Sequence, residues 1–546
     1  MTLTGIFRSV SIRKLAARLF RSGRLAVSGL AICSLIFSGL LAGVGRADSS
    51  GGVSIATANV PGAVMGLNSA AVTADGWYGI VAQYGGAAGA SVEAFDLSNP
   101  GGGPVTALNL NPYDYPTNIQ VDANDIVSFR ATQWSAPDPI TGAQVASEVL
   151  IFVQLDTVQN GLLQSGVANF DKDSIVTIPI PAVSGFPSGT VPVSIAVGNK
   201  GTVLYTNGDS VCTANAVQGR MSSVQILPDS SFVPLNSNSP SADFSAITAV
   251  TVDRATDIVS VTVNERKAGQ NSFQIWFFQL DENSADSTYG KLSLIEIIGS
   301  YEIASGASVT PGSTPAISAD GKTAYFALDD GSVCTASLNR NNTNPNITTI
   351  GNFPALAALD DQKSIAGPLL VQLGGGSDGS FSVAVTKKGF IWQIHRPGNI
   401  HRPGNLQGLT YYAINELPAL VTLTLNNSAV VATNLYTDFG VDNLILGISA
   451  PYLDSSGVAY VTTLEGGVLS ASAGTVTSLT SNAPTGIASI SYSALYSSIV
   501  GLGSLYAAPS GQSGQSGLGQ PMAGSAMFAV IGLPSEQGSE ASSGSQ

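Results

Sequence analysis

Charge, histidine and cysteine are all scarce in this chain of 546 residues: charged residues are 11% of it, with only 2 histidines and 3 cysteines. An ordinary soluble domain carries about 25% charged residues. So few cysteines exclude a disulfide-built scaffold, and two histidines leave little for an imidazole metal centre. Beyond residue 45 there is no long apolar run, which excludes a polytopic membrane protein. A basic stripe is missing as well, and the net charge of −14 argues against nucleic-acid binding. No serine nucleophile elbow, phosphate-cradling P-loop, Cys-x-x-Cys-His haem site or zinc spacing is found. What is abundant is apolar and turn-forming. Hydrophobic residues are 44%, with 61 glycines and 27 prolines. That excludes a disordered chain and suggests a large, turn-rich β-protein.

The first residues read as a targeting segment. Arg8, Arg13, Lys14, Arg18, Arg21 and Arg24 precede an uncharged stretch from Leu25 to Gly45, and no acid appears before Asp48. Gly45-Arg46-Ala47 supplies the small-x-small pattern of a secretory cleavage site. Residues 1–47 are therefore expected to be a signal peptide cleaved near Ala47, or, if uncleaved, an anchor through residues 25–45. Ile32 before Cys33 argues against lipidation. Export to the periplasm, cell surface or medium follows. Of the 22 basic residues, seven lie in 1–47; the remaining 15 against 36 acids give the exported chain a net charge of −21.

Self-similarity dominates the rest. Asp-Ile-Val-Ser occurs at 125–128 and 257–260, and the strands that follow end in Gln-Leu-Asp at 154–156 and 279–281. A second pair interleaves with the first: Val-Cys-Thr-Ala at 211–214 and 333–336, with a looser copy at 457–472. Weaker copies lie at 71–97, 370–394 and 488–533. Each unit of about 60 residues alternates apolar and polar residues in short runs broken by Asp, Asn and Gly, the pattern of successive hairpins. Four antiparallel strands per unit, repeated, resemble the β-propeller repeats of secreted bacterial proteins with their DG…Y…DG…V cadence. The resemblance covers residues 48–533 and implies an all-β fold, a single propeller of four-stranded blades. Eight units give eight blades; seven is the alternative count if 340–446 is one oversized blade with insertions. The Trp-Asp dipeptide and the tryptophan motif of quinoprotein propellers are missing. Residues 534–546 are expected to be a disordered tail. Ala526–Leu533 and Val53–Val60 are expected to share a blade or lie in adjacent ones, holding the ring shut.

Candidate chemistry is sparse. Asp122, Asp253 and Asp320 stand where hairpins turn, and the strands before them carry no charge, so turn formation is the first explanation for them. Asp171 and Asp173 form an acidic pair that could hold Ca²⁺ at most, without the glycine and spacing of an EF-hand; Asp281–Asp286 is similar. His395 and His401, with Arg396 and Arg402, come from a tandem hexapeptide, IHRPGN-IHRPGN, at 394–405. It reads either as an anion- or metal-binding loop or as a duplication that lengthened a turn. Trp134, in a polar loop, is a candidate binding residue. Cys212 and Cys334 occupy equivalent places in units separated by a whole unit, too far apart for a disulfide. Insertions at 131–146, 264–271 and 509–525 fall between the second and third strands of their units. They should cluster on one face and bind a protein or glycan partner there. Membrane contact is expected only through residues 25–45. A non-catalytic binding or cell-surface protein is therefore expected, with no cofactor. The alternative is a propeller enzyme of the lyase, lactonase or quinone-dependent dehydrogenase type, which rests on fold analogy.

Overall fold

The computed structural model describes residues between Ser54 and Leu533, with short breaks and longer ones at 61–69, 183–193, 234–242, 339–346, 358–367, 395–408, 440–450, 481–489 and 505–525. The described residues form eight four-stranded antiparallel sheets arranged as a β-propeller. Blade 1 comprises Ala70–Val72, Tyr78–Gly86, Gly89–Asp96 and Pro104–Asn109; blade 2 comprises Tyr113–Val121, Ile126–Trp134, Ala146–Asp156 and Asn169–Ile180. Blade 3 comprises Ile195–Val197, Val203–Asn207, Ser210–Asn215 and Gly219–Gln225; blade 4 comprises Phe244–Asp253, Ile258–Lys267, Gln270–Leu280 and Leu292–Gly299. Blade 5 comprises Ala316–Ile317, Thr323–Ala327, Ser332–Ser337 and Ile347–Asn352; blade 6 comprises Pro368–Gly375, Phe381–Lys387, Ala419–Asn426 and Ala429–Tyr436. Blade 7 comprises Tyr452–Leu453, Ala459–Thr462, Val468–Ser472 and Thr475–Thr480; blade 8 comprises Ile490–Ser493, Ser498–Ser504, Ala526–Gly532 and Ser54–Asn59. Strands are called a to d in the order given. Strand a is innermost, since the a strands of neighbouring blades lie against one another, as Ala70–Val72 does against both Tyr113–Val121 and Ile490–Ser493.

Apolar packing runs between blades all the way round. Phe129 and Val127 of blade 2 face Tyr78 and Val92 of blade 1. Leu150 and Phe152 meet Tyr205 and Cys212 of blade 3, and Leu204 meets Val259 and Phe278 of blade 4. Phe277 meets Phe326 of blade 5, Tyr325 meets Val421 of blade 6, and Leu420 meets Val461 of blade 7. Val468 meets Ile531 of blade 8, and Phe528 and Val500 meet Phe95 of blade 1. The last contact closes the ring. Blade 8 takes its strands a to c from the end of the described chain and its strand d from the beginning, with Ser54 opposite Gly532 and Asn59 opposite Met527. The expected meeting of 526–533 with 53–60 is thus within one sheet, where it removes a free edge from both segments.

The sequence repeats fall on equivalent geometry. Asp125 and Asp257, the first residues of Asp-Ile-Val-Ser, both take the left-handed conformation at the end of an a–b turn (φ 61° and 56°). Their carbonyls accept the N–H of Leu155 and Leu280 from the Gln-Leu-Asp segments. Gln154 and Gln279 then donate their side-chain amides to carbonyls of the same turns, Asn124 in one blade and Thr256 in the other. Val-Cys-Thr-Ala is strand c of blades 3 and 5, and Cys212 and Cys334 are buried free thiols with blade 4 between them.

One expectation is corrected. Residues 264–271 are not an inserted loop: strands b and c of blade 4 run on to Lys267 and from Gln270, joined by a turn at Ala268-Gly269. Alternation of apolar and polar residues runs from Val259 to Asn264, and the charges that suggested a loop, Glu265, Arg266 and Lys267, sit on the strand end. Residues 340–446 supply strand d of blade 5, then blade 6 with a separate two-stranded hairpin inserted between its strands b and c. The signal segment 1–47 and the tail 534–546 lie outside the described residues.

Candidate functional site

The up-and-down course of each blade sorts its connections onto two faces. The a–b and c–d connections share one face; the b–c connections and the crossovers to the next blade share the other. From strand ends, each a–b connection is four or five residues long, whereas the b–c connections range from 2 residues in blades 1, 3 and 4 to 11 in blade 2, 21 in blade 8 and 31 in blade 6. The c–d connections run from 2 residues in blades 6 and 7 to 12 in blade 2; the faces are called uniform and variable after their a–b and b–c connections alone.

The uniform face is held by carboxylates acting on turns. Asp253 Oδ1 accepts the N–H of Ala255 and Thr256, and Asp454 Oδ1 those of Ser456 and Val458. Asp320 Oδ1 accepts Ser318 Oγ–H and the N–H of Lys322, and these bonds hold its pKa below the usual carboxylate value. Such local bonds are why aspartate occupies these turns. Other carboxylates reach across blades. Asp125 Oδ1 accepts the N–H of Ala74 in the blade 1 turn. Glu282, 3% exposed in the c–d connection of blade 4, accepts the N–H of Lys200 and Thr202 in the blade 3 turn.

Between blades 2, 3 and 4 this face gathers its most perturbed groups. Arg254 donates Nε–H to the Val197 carbonyl at 3.0 Å and Nη2–H to the Val121 carbonyl at 3.0 Å. Those carbonyls end the innermost strands of blades 3 and 2, whose inner edge has no further strand to pair with. One arginine from blade 4 therefore ties three blades at the channel rim. Desolvation lowers its pKa, against the pull of Asp122 and Glu282. Asp122, 2% exposed, spends Oδ1 on the N–H of Asn124 and Ile126, while Oδ2 is buried without a hydrogen-bond partner. Burial raises its pKa above the usual carboxylate value, its backbone bonds and Arg254 opposing. Asp257, half-buried, is raised by desolvation and by Glu282. Shifted groups in one place mark a functional candidate. Here Glu282 is committed to turn amides, Arg254 to carbonyls, and Asp122 through Oδ1 to its own turn, so the cluster serves first to lock three blades.

The channel wall itself is nearly uncharged. The eight a strands contain two ionisable acids, Asp114 and Asp253, near opposite ends of the channel. Asp114 Oδ1 accepts the N–H of Tyr115, and Asp253 is spent on its turn. Near the a–b end, Tyr452 of blade 7 stacks on Tyr492 of blade 8, ring centroids 3.9 Å apart.

The residues singled out in the sequence do not converge. Asp171 and Asp173 are exposed on strand d of blade 2, where a bulge interrupts the register and Asp171 Oδ1 accepts the N–H of Asp173. Asp281 is spent on Asn283 and Thr288. Among the described residues no group of three His, Cys, Asp or Glu is placed to hold a metal ion. Trp134 is half-buried at the end of strand b in blade 2, on the variable face, opposite Ala146. The loop that follows exposes Ile140 by 92% and Val145 by 69%. His395, His401, Arg396 and Arg402 lie outside the described residues; the strands on either side of them, Phe390–Ile394 and Leu409–Ala413, pair with each other on the variable face.

Two features escaped the sequence. Arg254 needed the ring to show what it reaches. The buried pair of Arg130 with Glu148, Nε to Oε2 at 2.6 Å, was open to discovery by aligning strands b and c of blade 2, where both interrupt apolar runs. Glu148 also accepts Thr132 Oγ1–H.

No protein-family model matches the chain, and no curated protein matches it. Among solved structures it is similar to a candidate 6-phosphogluconolactonase of Bacteroides fragilis NCTC 9343, at 12% identity over 73% of this chain and 92% of that one, TM-score 0.36. It is similar to the β-propeller domain of Myceliophteria thermophila Cps50 (Swd1), at 8% identity over 88% and 100%, TM-score 0.35. It is similar too to the C-terminal WD40 domain of Sif2, at 10% identity over 88% and 98%, TM-score 0.38.

Proposed function

We propose that this protein is a non-catalytic, exported β-propeller that binds a protein or glycan partner through the connections of its b–c face. The observation that carries this is the contrast between two sets of connections: a–b connections of four or five residues throughout, against b–c connections of 2 to 31 residues, the longest of which exceeds any c–d connection of the opposite face. A fold that needs only a short turn at each place has no structural use for the longer ones, and loop variation on a rigid scaffold is how binding surfaces are built. The exposed Ile140 and Val145 supply apolar contact area on that face. The nearly uncharged a strands agree with a binding role, since acid–base chemistry in the channel would need convergent titratable groups there. Export rests on the basic and apolar pattern of residues 1–47.

The test is a capture experiment from envelope extracts with three proteins. These are wild type, a variant with residues 136–144 replaced by a short Asn-Gly turn, and an a–b face control, Asp320→Asn. A species held by wild type and the control but lost by the loop variant, at unchanged melting temperature, supports the proposal. A species lost by the control and kept by the loop variant places binding on the other face.

A further inference from the structure

We propose that Cys212 is a modification site, a thiol that a hydroperoxide oxidises to a sulfenic acid inside a polar pocket of blade 3. Cys212 lies in the apolar layer between blades 2 and 3. Its cross-strand partners are Tyr205 on strand b and Ser223 on strand d. Arg220, opposite Ala214 on strand d, donates Nη2–H to Cys212 Sγ at 3.3 Å, and the thiol donates to Ser223 Oγ at 3.4 Å. Tyr205 is fully buried, and its hydroxyl oxygen has no hydrogen-bond partner. Burial and then the neighbouring Cys212 raise this phenol above its usual value, Arg220 opposing, so it stays protonated as a donor. A buried donor without an acceptor is costly. An oxygen gained by the adjacent sulfur is the acceptor that Tyr205 lacks.

Blade 5 carries the same Val-Cys-Thr-Ala strand without this pocket. Phe326 stands opposite Cys334 where Tyr205 stands opposite Cys212, and Ile347 stands opposite Ala336 where Arg220 stands opposite Ala214. Cys334 Sγ has Thr349 Oγ1 at 3.7 Å. A cysteine at this place therefore packs without a phenol or a guanidinium, and blade 3 adds both. Cys212 itself is buried, but Arg220 and Ser223, which contact its sulfur from strand d, are exposed. Movement of one flexible side chain admits a molecule scarcely larger than water. Sulfur then attacks one peroxide oxygen. The S–O bond forms as the O–O bond breaks, sulfur gives up two electrons, and the departing hydroxide takes the thiol proton and leaves as water. The guanidinium stands where negative charge gathers on sulfur and on the leaving oxygen. Cys334 lies beyond blade 4, so among the described residues no second thiol is placed to convert the sulfenic acid to a disulfide. This site is separate from the partner site proposed above.

The experiment exposes the native full chain to hydrogen peroxide in the presence of dimedone, which traps sulfenic acids, and reads the Cys212 and Cys334 peptides by mass spectrometry over time. Wild type should gain the adduct on Cys212 and none on Cys334. Tyr205→Phe and Arg220→Ile, which copy blade 5, should each slow adduct formation roughly tenfold, the scale of one hydrogen bond to a charged group. Melting temperatures matching wild type show that blade 3 is intact in the variants. If Tyr205→Phe does not fold, Arg220→Ile decides alone, since residue 220 is exposed. Absence of the adduct from Cys212 in folded wild type overturns the proposal. Equal trapping of Cys212 and Cys334 overturns it too, because blade 5 lacks the pocket. So does trapping in both variants at the wild-type rate, which would make access alone the cause.

Discussion

The ring of Phe528 stacks on that of Phe95 with centroids 4.9 Å apart. Phe528 belongs to strand c of blade 8 and Phe95 to strand c of blade 1, so the pair joins the two ends of the described chain. Gly79 completes the fit: a Cβ there would stand 2.4 Å from the Phe528 ring. The close approach of blade 8 to blade 1 thus requires a residue without a side chain at 79.

Phe528→Ala should cost about 3–5 kcal/mol, the range for emptying a buried aromatic site. Gly79→Ala should cost about 1–3 kcal/mol through overpacking against the same ring. Urea unfolding of both variants checks this. Either variant unfolding like wild type would mean that the closure interface relaxes freely.

Ending the chain after Pro509 removes Ala526–Gly532, which pairs with Ser54–Asn59 on one side and Ser498–Ser504 on the other. That truncation should expose two strand edges, lower the melting temperature sharply and promote aggregation. Ending it after Pro534 should leave melting unchanged. Light scattering and a thermal scan of the two truncations decide the matter; equal melting would take strand c of blade 8 out of the closure.

The repeat was legible because local chemistry forces it. Asp125 and Asp257 take left-handed backbone, which aspartate tolerates better than a branched residue, and the same turn demands the same residues in blades 2 and 4. Blade closure was legible from two apolar segments at opposite ends. Arg254 was not, because its partners are backbone carbonyls of other blades, and a carbonyl leaves no mark in sequence. The strands of blade 4 were misjudged for a related reason: Glu265, Arg266 and Lys267 resemble a polar loop unless one knows that this hairpin runs on to Lys267. The long connection of blade 6 was seen as sequence, but its strand pairing was not, since short apolar runs fit strand or turn equally well.

Arg130 and Glu148 should behave as a buried pair. Removing one partner, as in Arg130→Met, should cost about 3–5 kcal/mol by stranding the other charge. Combining it with Glu148→Leu should recover most of that loss, since the blade 2–blade 3 interface around it is apolar. A double-mutant cycle by chemical denaturation measures the recovery. Additive losses would show that the two side chains act independently.

Cys212 and Cys334 are buried, and burial pushes the Cys334 thiol up to about 11. Little thiolate is then present near neutral pH, and the thiolate is the reactive form. Native protein should leave Cys334 unlabelled by iodoacetamide, whereas denatured, unreduced protein should show both cysteines labelled. Peptide mass spectrometry reads the outcome. A Cys212–Cys334 disulfide peptide would contradict their placement in blades 3 and 5.

Asp122 gives the fold a pH dependence with a definite sign. Burial raises its pKa in the folded state, so the fold holds this proton more tightly than the unfolded chain does. Below the unfolded carboxylate value, about pH 4, both states are protonated and the stabilisation relative to the charged form is complete. As pH rises through the folded pKa that stabilisation is lost, and above it the buried charge carries its full cost. Asp122→Asn keeps an oxygen to accept the N–H of Asn124 and Ile126 while removing the charge from the buried Oδ2 position beside Gly201. The variant should exceed wild type in stability by about 1 kcal/mol at pH 7, and the difference should shrink toward about pH 4. Arg254 keeps its two carbonyl bonds in either case. Chemical denaturation of both proteins across this range tests the claim. If the variant is less stable at pH 7, attraction between Asp122 and Arg254 outweighs the burial of the carboxylate, and the three-blade lock depends on that charge pair.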